Sequence, residues 1–164
     1  MGSGGHVRRD VRDDSGGAVV EFVALSVLLL IPLVYLVVTV SRIQAGILAA
    51  EAAAHDAARA VVVEGVRSLE QGRSHAAAFD AGVARAEALV TVQLDNFGFE
   101  RDDARVAVGC TAEPCLSLGS NITAAVEVDV ALPGVPGFIG RALPLAVTVG
   151  GSANSPVDSL AGER

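Results

Sequence analysis

From Phe22 to Ser41 the chain runs for 20 residues without one charged side chain (FVALSVLLLIPLVYLVVTVS). At about 1.5 Å of rise per residue, a helix of that length spans about 30 Å, the hydrocarbon thickness of a bilayer. Two other structures fit such a run. A helix buried in a soluble core is one. A cleavable signal sequence is the other, with Ala50-Glu51-Ala52 as a small-x-small cutting site; its apolar region is usually only about 7–15 residues long. A membrane span fits the length best. Arginines then orient it: Arg8, Arg9 and Arg12 precede the run, and Arg42 stands alone just after it. Basic residues stay on the cytoplasmic side, and acidic neighbours count for little. The N-terminus is therefore expected in the cytoplasm and everything beyond residue 42 outside.

Composition narrows the functional class. The 164 residues are 51% hydrophobic but only 4% aromatic, and the mean hydropathy is +0.50. That aliphatic content argues against a disordered chain. A net charge of −7, with 12 basic residues that are all Arg, and a pI of about 4.8 argue against a nucleic-acid partner, which needs a basic face. Two cysteines cannot build a four-ligand zinc site alone, and His6, His55 and His75 stand at no ligand spacing. Neither a phosphate-binding glycine loop nor a GxSxG elbow is present. The expectation is a protein without metal, cofactor or enzymatic activity.

The chain divides into a short polar leader at 1–16, disordered and cytoplasmic, a transmembrane helix at 17–41, and an extracytoplasmic domain at 42–164. Past the span the pattern stays helical and rich in Ala, which predicts one helix over 18–64, about 70 Å long, ended by Gly65. Pro32 should kink it at mid-membrane, since its ring removes a backbone bond. Glu51, His55 and Arg59 recur every four residues and form a solvated face. The cluster from Ala49 to Ala60 permits close approach, by a sister helix or by the chain's own domain. A second helix is predicted over 74–95, capped by Ser74 and carrying Phe79, Val83, Ala86 and Val90 as its apolar stripe. The turn Asn96-Phe97-Gly98 follows.

From Ala104 the period changes to two. ARVAVGC and ITAAVEVDVAL alternate, with Val126, Val128 and Val130 on one face and Glu127 and Asp129 on the other; ALPLAVTVGG is a third strand-like run. PGVPGFIGR is the loop before it, and the residues from Gly150 read as a polar tail. The fold class is α+β: a long N-terminal helix, a second helix, and a small antiparallel sheet of about three strands.

Cys110 and Cys115 (CTAEPC) bracket a short loop between two strands. In an oxidising compartment they form a structural disulfide, and otherwise free thiols; nothing in the sequence argues for redox chemistry. Glu127 and Asp129 read as a solvated outer face with no partner nearby. Asn121-Ile122-Thr123 matches a glycosylation sequon, a frequent chance match.

Glu21 is the residue that composition does not explain. A carboxylate at the start of an apolar helix is costly, and snorkelling to the headgroups is the simplest relief. The stretch Asp14-Ser15-Gly16-Gly17-Ala18-Val19-Val20-Glu21-Phe22 offers another reading. It resembles a class III prepilin signal, in which a peptidase cuts on the cytoplasmic side after Gly and leaves Glu fifth in the mature chain. Cutting after Gly16 makes Gly17 the new terminus and Glu21 the fifth residue; cutting after Gly17 makes Glu21 the fourth. The new ammonium on Gly17 of one subunit can then pair with the Glu21 carboxylate of another, making two groups that are costly alone tolerable together.

The run SGGAVVEFVALSVLLL, the Ala-rich AAEAAAHDAARAVVVEG after it, the late Cys pair and the closing alternating strands together resemble TadE-like pseudopilins of the tight-adherence (Flp) pilus system. That resemblance implies a processed minor pilin that helps build an adhesive surface pilus or primes its export. The partners it implies are the prepilin peptidase, the inner-membrane assembly platform, other pseudopilins, the major Flp pilin and membrane lipid. Two readings compete: an unprocessed single-pass membrane protein with an external binding or sensing domain, and a secreted protein freed at Ala52.

Overall fold

The computed structural model describes residues 15–132 and 146–158, with side chains from Gly17 onward. The order is helix α1 (Ser15–Glu70), helix α2 (His75–Asn96), a single 3-10 turn (Arg101–Asp103), and strands β1 (Ala104–Cys110), β2 (Asn121–Ala131) and β3 (Ala146–Pro156). This is the α+β architecture that the change of period predicts. Of the leader expected at 1–16, residues 1–14 with its arginines lie outside the described residues, as does the loop expected at 133–141, while Ser15 and Gly16 begin α1.

Two compact units divide between Val37 and Val38. The first carries the N-terminal part of α1. Every residue from Gly17 to Val37 there is exposed, with Phe22, Leu28 and Leu29 above 70%. One helix of the chain is thus long and apolar enough to cross a membrane, and none of its most apolar window is buried. The helix is continuous through Pro32.

The second unit is built on the Ala-rich half of α1. Ala49, Ala50, Ala53, Ala54, Ala57, Ala58, Val61 and Val62 are buried in it. Their spacing gives a wide stripe on one helix face, and the chain's own sheet and second helix occupy it. The Ala cluster therefore serves the domain rather than a sister helix. Glu51, His55 and Arg59 lie on the solvent side.

Glycine positions show how close the contact is. A methyl group on Gly82 of α2 would sit 2.7 Å from the Val61 carbonyl oxygen of α1. On Gly151 of β3 it would sit 2.5 Å from the Glu51 amide nitrogen, also of α1. Gly46 of α1 receives Val130 and Val149 from the sheet. Small residues on both sides let backbones approach without a cavity between them.

Three sequence expectations are corrected here. Gly65 does not end α1; it lies inside the helix, where a Cβ would collide with the Leu116 side chain at 2.7 Å. The five residues Val66 to Glu70 continue the helix, and Gly72 makes the turn instead. It has φ +82°, its N–H donates to the Leu69 carbonyl at 2.9 Å, and Arg73 N–H donates to the Ser68 carbonyl at 3.1 Å. The stripe of α2 is also rotated: Ala78, Gly82, Ala86, Val90 and Leu94 are buried, while Phe79 and Val83 pack at the margin. Finally, the polar tail after Gly150 is strand. Gly151 to Pro156 pair with β2, Val126 opposite Gly151 and Asn121 opposite Pro156. Ladder hydrogen bonds, not apolar alternation, hold this segment.

Other expectations hold. Ser74 caps α2, its Oγ accepting from Ala77 N–H at 3.3 Å. In the sheet, β2 lies between its antiparallel neighbours β1 and β3. Ile122, Ala124, Val126, Val128 and Val130 face the core, and Thr123, Ala125 and Glu127 face out.

The close approaches are testable. Gly151→Ala and Gly82→Ala should each destabilise the fold by about 1–3 kcal/mol, because backbone must move to admit the methyl group. Gly150→Ala, whose Cβ would meet its nearest atom at 3.6 Å, should change little. Thermal unfolding followed by circular dichroism checks the contrast.

Candidate functional site

The residues singled out by sequence fall at three places in the fold. Ser15, Gly16 and Gly17 form the first turn of α1. Gly17 and Glu21 are four residues apart, hence one helical turn apart and on the same face. Glu21 is exposed, as are Val20 and Phe22 beside it. Among the described residues no cationic side chain stands within ion-pair distance of that carboxylate.

The second place is the loop from Thr111 to Ser120. Cys110, the last residue of β1, and Cys115 are joined in a disulfide. The loop is further closed by Thr111, whose N–H donates to the Asn121 carbonyl at 3.0 Å and whose Oγ1 accepts from Asn121 N–H at 2.9 Å. Leu116 projects from it into the core beside Gly65. Glu113 lies near the two cysteines, and this trio is the one cluster with metal-ligand atoms gathered together among the described residues. With its sulfurs bonded to each other it offers no thiolate to a metal.

The third place is the outer face of the sheet. Glu127 and Asp129 do have a partner, contrary to the sequence expectation. Arg105 of β1 lies opposite Glu127 in the ladder. Its Nη1 and Nη2 donate to the two carboxylate oxygens of Asp129 at 2.9 and 3.2 Å, and its Nε donates to Glu127 at 3.3 Å. From β3, Thr148 Oγ1 donates to Asp129 at 2.6 Å. The hydroxyl of Thr148, then the guanidinium of Arg105, hold the Asp129 carboxyl below its ordinary range. Asp129 and Glu127 in turn raise Arg105. This is a polar clasp across three strands, exposed to solvent and already satisfied internally. Such a pair sets strand register more than it adds stability. Sequence reasoning missed it because the partner sits 22 to 24 residues away. The outward position of Arg105 in the alternating ARVAVGC run was the available signal.

His55 and His75 are exposed and far apart in sequence; His6 lies outside the described residues. No family model, curated protein or solved structure matches this chain. What the geometry offers is an uncovered apolar helix with a carboxylate one turn from a Gly-Gly bond, carried by a small, internally braced domain.

Two measurements follow from the clasp and the loop. Thr148→Val should raise the Asp129 pKa, read by carboxyl NMR. Because the folded carboxyl titrates low, its stabilising contribution is present above the unfolded pKa and disappears as pH falls through the folded value; the variant should lose less stability on acidification. Replacing both Cys110 and Cys115 by Ser should cost about 2 kcal/mol, the entropy of so short a loop, in a denaturant titration.

Proposed function

We propose that this chain is a TadE-like pseudopilin, a minor pilin of a tight-adherence Flp-type system, acting in assembly rather than in catalysis. The observation that carries this reading is the start of α1. Gly16, Gly17 and Glu21 stand at the spacing of a prepilin signal, and the helix that follows leaves its large apolar side chains uncovered through Val38. Those side chains need lipid before assembly and neighbouring helices after it.

In this reading residues 1–16 are a cytoplasmic leader removed by a prepilin peptidase. The arginines of the leader support that orientation. The disulfide supports an extracytoplasmic domain, since such bonds persist where thiols are not kept reduced. Once Gly17 is the terminus, its ammonium and the Glu21 carboxylate of a neighbouring subunit neutralise one another in the apolar bundle and fix the axial register. Partners are then the peptidase, the inner-membrane platform, other pseudopilins and the major pilin. The domain's small internal clasp and disulfide suit a rigid head carried on such a helix.

The mature N-terminus decides between this and an unprocessed membrane protein with an external sensing domain. N-terminal sequencing and intact mass of the membrane fraction should show a start at Gly17 only when the peptidase is present. Retention of residues 1–16 would reverse the reading in favour of the alternative. Glu21→Ala should insert normally and fail to assemble; a variant that assembles like the native chain would remove the role given to Glu21.

A further inference from the structure

Within the second unit, α1 and α2 enclose a groove of about 630 Å³. Its floor is apolar, with Ala60, Val63 and Leu89, and three arginines, Arg59, Arg67 and Arg85, stand around it. Two carboxylates also line it: Asp56 accepts from the neutral amide Nε2 of Gln93 and Glu64 lies 3.9 Å from Arg67, so three cations face two anions and the lining is net positive. Arg59 and Arg85 are exposed and have no counter-charge among the described residues. The domain holds seven described arginines, so three in one groove, in a chain of net charge −7, is a local reversal of sign.

The complementary surface is on the same domain. Between Asp95 and Asp103 the chain carries Asp95, Glu100, Asp102 and Asp103 against the single Arg101. Arg101 is spent on the Ala104 carbonyl at 2.8 Å. Glu100 and Asp103 cap each other's backbone. Asp95 and Asp102 are exposed and unengaged among the described residues.

The two surfaces cannot meet within one chain. Phe99, in the acidic turn, lies against Gly46 at the start of the domain. Asp95 stands nearest the groove, six residues or about 9 Å past the lining Leu89 on α2, and the turn around Phe99 lies fourteen residues along α1 from the groove's centre near Ala60, or about 20 Å. We propose that the Arg59–Arg85 groove takes the acidic turn after α2 of a second copy of this chain, displaced along α1 by about that distance. Different patches meet on each copy, so the contact is head-to-tail and each copy added leaves a free patch for the next. This names a second assembly surface, away from the membrane helix; it extends the pseudopilin reading and relies on it for its biological setting only.

The test uses the full chain in membranes. Val63→Cys in the groove and Asn96→Cys beside the acidic turn are combined in one chain and bridged with a short bis-maleimide. A ladder of dimer, trimer and larger bands is expected, and neither single substitution should give one. Arg59→Asp with Arg85→Asp should weaken the ladder by about ten-fold, as should Asp95→Arg with Asp102→Arg, while the two pairs together should restore it. Raised ionic strength should weaken the native contact, as exposed charges are screened. Absence of bands above the monomer overturns the inference, as does an equal dimer from Val63→Cys alone, which would mark a symmetric contact. Circular dichroism of each variant separates lost contact from lost fold. A ladder from uncut chain leaves the inference standing and the pseudopilin reading fallen; no ladder from chain starting at Gly17 does the reverse.

Discussion

The domain depends on a close approach of backbones along the second half of α1. Ala side chains from Ala49 to Ala58 give the helix a face with almost no relief, and glycines on the opposing elements remove the remaining methyl groups at Gly82 and Gly151. Neither partner element is strongly apolar. The end of β3, GGSANSP, would not be buried for its hydrophobicity. It is held because β2 pairs with it and because it fits where a larger residue would not.

That arrangement explains why one helix shows two opposite compositions. Before Val38 its side chains are mostly large, aliphatic and exposed; beyond Gly46 the buried ones are mainly Ala with Val61 and Val62, and Glu51, His55, Arg59 and Arg67 are among the exposed ones. Large aliphatic residues suit a lipid environment, where bulk costs nothing, and small ones suit a protein face with little space to fill. The change of residue size along α1 thus separates a stretch long and apolar enough to cross a membrane from one that packs against protein. It also leaves Glu21 as a charge among apolar neighbours in the half of α1 that the domain does not cover.

On the far side of the sheet the forces are of another kind. Arg105, Glu127, Asp129 and Thr148 bind the three strands across a solvated surface, and the disulfide pins the β1–β2 connection. With a core made mainly of Ala and Val, such local ties fix register where packing alone is weakly specifying. The groove between α1 and α2 and the acidic turn below it are then the charged features left over once these internal needs are met.

The sequence by itself determined the membrane-compatible helix, the α+β order, the cap at Ser74 and the inward valines of β2, because each depends on local period or short spacing, and of the two states it allowed Cys110 and Cys115 the structure has the disulfide. The Gly-Gly–Glu spacing, on which the function is proposed, was equally legible there. Tertiary structure decided the rest. It set whether Gly65 or Gly72 stops α1, since only the position of Leu116 shows that Gly65 is needed for clearance. It made a strand of the polar residues after Gly150, because cross-strand hydrogen bonds leave no hydrophobic pattern. It also brought Arg105 to Asp129 and three arginines to one groove, because strand register and helix pairing join residues far apart in the chain, and no local pattern encodes that distance.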